Sequence, residues 1–117
     1  MPDQGAIAQL SRAVGLTGVT VFAFPTAPGG SLAVRSFAPA AGIAEDPVCG
    51  SGNAAVGAYL SATDLLRRSE SSYRASQGRE VGRDGTVEVS VSESGRVIEI
   101  GGTCVTVIAG HLAALPE

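Results

Sequence analysis

A polar turn running straight into an apolar helix, from Glu45 to Leu66, limits what this chain can fold into more than any other stretch. Glu45-Asp-Pro-Val-Cys-Gly-Ser-Gly-Asn53 carries turn and capping chemistry, and Ala54-Ala-Val-Gly-Ala-Tyr-Leu60 follows it without a polar face. A helix that is apolar all round is buried on all sides, so the pattern predicts that the rest of the chain wraps it. Ala54, Ala55, Gly57 and Ala58 are small enough to let neighbouring backbone approach closely. The run is too short for a bilayer, which takes roughly 20 apolar residues. The wrapping must therefore be protein.

The flanking sequence supplies strands to do it. Asp3 can cap a first helix with Ile7, Leu10 and Val14 on one face and Gly15 as its stop. Gly18 to Phe24 is a β-branched and aromatic run, hence a strand. Pro25-Thr-Ala-Pro-Gly-Gly30 turns the chain, and Ser31 to Phe37 returns with Leu32 and Val34 alternating against Ala33 and Arg35. Ala38 to Ala44, broken by Pro and Gly, reads as a loop. Beyond the central helix, Asp64, Arg67, Arg68 and Glu70 mark a solvated end, the two arginines suiting the negative pole of the helix dipole. Tyr73 to Gln77 forms a short strand and Gly78 to Asp84 a polar connection. Thr86–Val91, Arg96–Ile100 and Thr103–Ala109 then form an antiparallel meander, separated by the Ser92–Gly95 and Gly101-Gly102 turns. The expected architecture is α+β: about six mostly antiparallel strands curled around a central helix, plus an N-terminal helix, in one domain over residues 1–117.

Charge and cysteine usage narrow the function classes. A net charge of −3 with only eight Lys and Arg argues against a nucleic-acid partner. No signal-like or membrane-binding segment stands at Met1-Pro-Asp-Gln-Gly5, which makes the cytoplasm the expected compartment. There Cys49 and Cys104 are expected to be free thiols. With His111 as the only histidine, no Cys/His cluster provides a metal site. Cys104 lies mid-strand beside Val105 and reads as core; His111 reads as surface.

Several nucleotide and phosphate motifs fail in the central turn. Gly50-Ser-Gly52-Asn-Ala-Ala55 fits G-x-G-x-x-G/A, but Glu45-Asp-Pro47 is no buried parallel strand and the downstream strands are no βαβ unit. A phosphatase cysteine loop needs Arg where Ala55 stands, and a P-loop needs Lys where Asn53 stands. What remains is a Gly-rich helix entry whose Gly50, Ser51, Gly52 and Asn53 amides, backed by the dipole, suit a carboxylate or phosphate. Ser51 or Asn53 acting simply as a helix cap is the competing reading.

Ser36-Phe-Ala-Pro39, Glu45-Asp-Pro-Val-Cys-Gly-Ser-Gly-Asn53, Ala75-Ser-Gln-Gly78, Gly82-Arg83 and the Val97 to Gly102 segment together closely resemble the signature of the phenazine-biosynthesis PhzF-like family. The resemblance runs from near Pro2 to Leu112. It implies a diaminopimelate-epimerase-like fold, two pseudo-symmetric lobes of curled sheet around a helix, of which this chain is similar to the C-terminal one only. It also implies isomerase or epimerase chemistry: proton transfer on a small carboxylated metabolite in biosynthesis, without metal or organic cofactor. The family's principal acid/base glutamate belongs to the other lobe, and Glu45 is no substitute for it. Carried over residue by residue, Asp46 faces the ligand and the Gly50 and Ser51 amides cradle its carboxylate, with Gly52 and Asn53 completing the turn and Gln77 and Gly78 lining the cleft. Pro47 keeps Asp46 extended. Cys49 departs from the family's usual Thr and is similar to the cysteine turn of diaminopimelate epimerase and proline racemase, where paired thiols act as acid and base. A helix N-terminus favours a thiolate; a small buried hydrophobe is the alternative.

Asp46 and Cys49 are thus the catalytic candidates, and Cys49 is expected to alkylate faster than a core Cys104. Completion of the site requires a second lobe, supplied either by a complementary N-terminal-lobe chain or by a second copy in a homodimer. A non-catalytic carboxylate-binding module and an inactive fragment are the other two readings.

Overall fold

A computed structural model describes residues 2–66, 71–92 and 95–113. Helix α1 spans Gln4–Val14; Asp3 Oδ1 accepts the Ala6 N–H at 2.9 Å and Gly15 closes it at φ 68°. Strands β1 (Val19–Ala23) and β2 (Leu32–Ala38) pair antiparallel across the Pro25–Gly30 turn. A 3-10 turn, Pro39–Ala41, and Gly42 at φ 82° then reverse the chain into β3 (Ile43–Asp46), which pairs back onto β2. Helix α2 (Gly50–Ala62) crosses over to β4 (Ser72–Gln77), parallel to β2. A second 3-10 turn, Arg79–Val81, leads to β5 (Gly85–Ser92), and β6 (Val97–Gly101) completes an antiparallel β4-β5-β6 meander. The sheet has six strands in the order β1-β2-β4-β5-β6, with β3 on β2.

One face of the sheet carries the core. Leu32 and Val34 of β2, Ala75 of β4, and Val87, Val89 and Val91 of β5 pack against Val56 and Leu60 of α2, flanked by Phe22, Leu66, Tyr73 and Ile98. The sheet curls, because α2 touches β1 through Phe22 and Tyr59 and β6 through Gly57 and Ile98. Gly52 is required for this fit, and Gly57 lies at its tightest apolar contact. A Cβ on Gly52 would lie 2.6 Å from Ser36 Oγ and 2.7 Å from Thr20 Oγ1, and one on Gly57 3.2 Å from Val89 and 3.3 Å from Ile98.

Five expectations need correction. Helix α2 is not buried on all sides: Gly52, Asn53, Val56, Gly57 and Leu60 are inside, whereas Ala55, Ala58 and Tyr59 face out. Its composition permits burial all round, but the sheet stops at β1 and β6 and leaves a slit. The helix ends at Ala62 rather than Leu66, where Asp64 takes φ 54° and Leu66 N–H bonds back to Leu60 O. The face of α1 that is buried is Ala8 and Ser11, not Leu10 and Val14, which are more than half exposed. The Ala38–Ala44 loop contains the start of β3, since Gly42 in the left-handed region turns the chain straight back along β2. Finally, Thr103–Ala109 pairs with no strand of the sheet, so Cys104 is exposed instead of core. The total of six strands stands, with β3 in place of the strand expected at Thr103–Ala109. Asp64 and His111 are exposed as expected; Arg67, Arg68 and Glu70, and part of the Ser92–Gly95 turn, lie outside the described residues.

Candidate functional site

The second edge of β2 is shared by two strands. β4 pairs along Leu32–Val34 and ends at Gln77, opposite Val34; β3 pairs along Ser36–Ala38 and ends at Asp46, opposite Ser36. The two strand ends therefore meet at the middle of β2, and Pro47-Val48-Cys49 leaves this notch for the first turn of α2. Pro47 passes so close to β4 and β5 that a Cβ on Gly78 would lie 2.6 Å from its carbonyl oxygen, and one on Gly85 3.0 Å. Gly78 also sits at φ 92°.

Gln77 locks the notch. Its side chain is buried; Nε2 donates to Asp46 O at 2.7 Å, while Oε1 accepts from Asn53 Nδ2 at 2.8 Å and, at 3.4 Å, from Cys49 N. Asn53 Nδ2 also donates to Cys49 O at 2.8 Å. Beneath Gly52, the Thr20 and Ser36 hydroxyls lie 3.0 Å apart. The turn is thereby fixed from below by polar groups set into an otherwise apolar sheet face.

On the outer side, Asp46 Oδ1 accepts the Val48 N–H at 3.0 Å. Cys49 is the N-cap of α2: its sulfur accepts the Gly52 N–H at 3.3 Å and lies 3.6 Å from Ser51 Oγ. The Asn53 N–H goes to Cys49 O. The Gly50 and Ser51 amides, exposed at the first turn, donate to no acceptor among the described residues, as expected of the orphan donors of a helix N-terminus. The corner thus brings together Asp46, Cys49, Gly50, Ser51, Gly52, Asn53, Gln77 and Gly78. Asp46, Cys49, Gly50 and Ser51 reach its accessible side. Gly52, Asn53, Gln77 and Gly78 are buried behind it.

Glu45 points the other way. On the opposite sheet face its carboxylate takes Arg35 Nε at 2.9 Å and Arg35 NH2 at 2.8 Å, with Glu80 3.8 Å from Arg35 Nε. The Arg35 hydrogen bonds hold the Glu45 carboxyl below its ordinary range. It braces β3 against β2 and takes no part in the corner. Neither this pair nor the Thr20–Ser36 pair was evident from the motif; for Thr20 and Ser36 the signal available was a polar residue at a core-facing position of each strand. Among the described residues no cluster of His, Cys, Asp and Glu could hold a metal ion, and no helix is long and apolar enough to cross a membrane.

A curled sheet on a crossover helix, with a Gly-rich turn at the helix entry, is the frame in which the sequence comparisons fall. The family model for phenazine biosynthesis-like proteins, PhzC-PhzF, matches residues 2–110, and the chain belongs to this family. It is similar to the uncharacterized isomerase YddE of Escherichia coli, with 39% identity over 94 residues, covering 78% of this chain and 31% of that protein. An uncharacterized isomerase of Clostridium acetobutylicum is 36% identical over 117 residues, covering 95% and 39%. Phenazine biosynthesis-like domain-containing protein 2 of the mouse is 36% identical over 92 residues, covering 74% and 30%. The chain thus spans 30–39% of the length of these relatives.

Proposed function

We propose that this chain is one lobe of a PhzF-like isomerase or epimerase, acting by proton transfer on a small carboxylated metabolite in biosynthesis. The observation that carries the reading is the placement of two undirected amide donors, Gly50 and Ser51, beside the Asp46 carboxylate and the Cys49 sulfur. A substrate carboxylate would accept from the two amides at the positive end of α2. The carbon next to that carboxylate would then lie within reach of Asp46 or Cys49, either of which could take its proton and one of which could return a proton at a different face or atom. The isomerase names of the relatives support this class of reaction. The corner is open on one side, where water would weaken every electrostatic contact. A second lobe, from a complementary chain or a second copy, closes it.

A non-catalytic carboxylate-binding module is the second reading. It is favoured by one observation: Asp46 and Cys49 already accept the Val48 and Gly52 amides, which are ordinary turn and cap duties.

The test is a titration of 15N-labelled protein with small amino and hydroxy carboxylic acids, following the Gly50 and Ser51 amides. Gly50→Pro removes one donor with little strain, because proline suits the first helical position and Cys49 already has the extended conformation (φ −104°, ψ 104°) required before it. A hydrogen bond to a charged group contributes about 1.5–3 kcal/mol, so affinity should fall roughly tenfold or more. Undiminished binding in folded Gly50→Pro would overturn the cradle. Exchange of substrate C–H for deuterium in D2O separates the isomerase from the binding module.

A further inference from the structure

The four residues that lead from β3 into α2, Asp46-Pro47-Val48-Cys49, have the composition of a β-turn, with Asp at its first position and Pro at its second. Asp46 Oδ1 already accepts the Val48 N–H at 3.0 Å, as an Asp opening a turn commonly does. The bond that would close the turn, from the Cys49 N–H to Asp46 O, is nonetheless missing. A buried carboxamide stands in its place. Gln77 Nε2 donates to Asp46 O at 2.7 Å, and Gln77 Oε1 takes the Cys49 N–H at 3.4 Å. Donor and acceptor of the turn are both satisfied, but across the width of an amide.

The orientation of that amide is dictated by its surroundings. Cys49 O can only accept, so the Asn53 side chain turns its NH2 towards it, at 2.8 Å. The other N–H of that group reaches Gln77 at 2.8 Å and requires an oxygen there. Gln77 is left with its own NH2 facing Asp46 O, which again can only accept. Gln77 is 1% exposed and Asn53 fully buried, so bulk water does not compete for these bonds.

We propose that Gln77 is a positioning residue: inserted into the Asp46–Cys49 turn as a spacer, it keeps the Asp46 carboxylate and the Cys49 sulfur apart, so that the two address one substrate carbon from different sides. Its use in catalysis rests on the isomerase chemistry proposed above; the spacing itself does not. Gln77 acts only through the backbone of the two acid/base candidates, and the separation it adds is the N-to-O width of an amide, roughly 2 Å. Without the spacer, an orphaned carbonyl and an orphaned N–H three residues apart draw together as far as the pairing of Asp46 with Ser36 allows.

The spacing is read without substrate, from alkylation of Cys49 by iodoacetamide and by iodoacetate in a Cys104→Ser background. The ratio of the two rates cancels thiol access and thiolate fraction and keeps the repulsion felt by the charged reagent. Dividing by the same ratio in Asp46→Asn isolates the share due to the Asp46 carboxylate. In Gln77→Met, well below its melting point, that share should rise about two- to fivefold at low salt, the effect of unit charges brought roughly 2 Å closer near a protein surface. An unchanged or smaller share overturns the spacer. In the unaltered protein, a through-hydrogen-bond NMR coupling should join Gln77 Nε2 to the Asp46 carbonyl carbon, and none should join Cys49 N to it. Absence of the first or presence of the second overturns the spacer even if Gln77→Met fails to fold. Carboxylate affinity at the Gly50 and Ser51 amides should stay within about twofold in Gln77→Met, while C–H exchange of the bound acid falls roughly tenfold or more. An equal loss of both would make Gln77 a general support of the corner and overturn the positioning role. Absence of exchange in the unaltered protein overturns the isomerase reading and not the spacer.

Discussion

Replacing Gln77 by methionine tests whether the notch between β3 and β4 is held by polar contacts or merely filled. Methionine keeps the length and nearly the volume of glutamine, so the cavity contribution is small. The wild-type amide satisfies Asp46 O at 2.7 Å and, more weakly, Cys49 N at 3.4 Å. Asn53 Nδ2 retains Cys49 O as a partner. Asp46 O and Cys49 N are therefore orphaned, and Asn53 Nδ2 loses the acceptor of one of its two N–H groups; a buried unsatisfied donor or acceptor costs about 1–3 kcal/mol. The long Cys49 bond places its share at the low end, so the sum is about 2–4 kcal/mol. For a domain of this size that corresponds to a melting point lower by roughly 8–16 °C. Urea unfolding at neutral pH measures the loss directly, with the slope unchanged if the denatured state is unaffected. Ser76→Ala on the same strand, whose side chain faces away from α2, is the control and should stay within about 0.5 kcal/mol. A loss below about 1 kcal/mol for Gln77→Met would refute the reasoning, because water or a shifted backbone would then be replacing the amide.

Gly52→Ala should destabilise by about 1–3 kcal/mol in the same assay, since displacing the Ser36 and Thr20 hydroxyls outweighs alanine's helix preference of about 1 kcal/mol; a stability gain would mean that α2 can lift off the sheet. Gly57→Ala meets only methyl groups and a phenol at 3.2–3.5 Å, so it should be near neutral by thermal melting. Tyr73 has a buried hydroxyl with no partner among the described residues, and burial pushes its phenol up to about 12. Tyr73→Phe should accordingly raise stability by up to about 1 kcal/mol, and a loss of that size would reveal a partner. Glu45, held below its ordinary range by Arg35, contributes in full above its unfolded value near 4.5 and loses its contribution as pH falls through the depressed folded value. Glu45→Gln should cost about 1 kcal/mol at pH 7, and the gap from wild type should close in strong acid; a pH-independent gap would point to packing instead of charge.

Local chemistry made much of this molecule legible in its sequence. Asp3 and Gly15 bracket α1 because a carboxylate cap and a left-handed glycine are decided within a few residues. The β1–β2 hairpin and the antiparallel β5–β6 pair follow from β-branched runs and glycine turns. The Glu45–Asn53 turn announced a helix N-terminus, and the helix begins inside it at Gly50. What needed the tertiary structure was every question of partnership. Periodicity marks Leu10 and Val14 as apolar but cannot say that α1 would press only Ala8 and Ser11 onto the sheet. The composition of α2 permits burial all round, yet a sheet ending at β1 and β6 leaves Ala55 and Ala58 outside. Thr103–Ala109 has the propensity of a strand but pairs with no strand among the described residues, because a strand exists only where another main chain offers its hydrogen bonds. Gln77 and Asn53 lie 24 residues apart and meet because β3 and β4 share one edge of β2. Propensity acts over a few residues along the chain, whereas packing and pairing depend on segments that only the fold brings together.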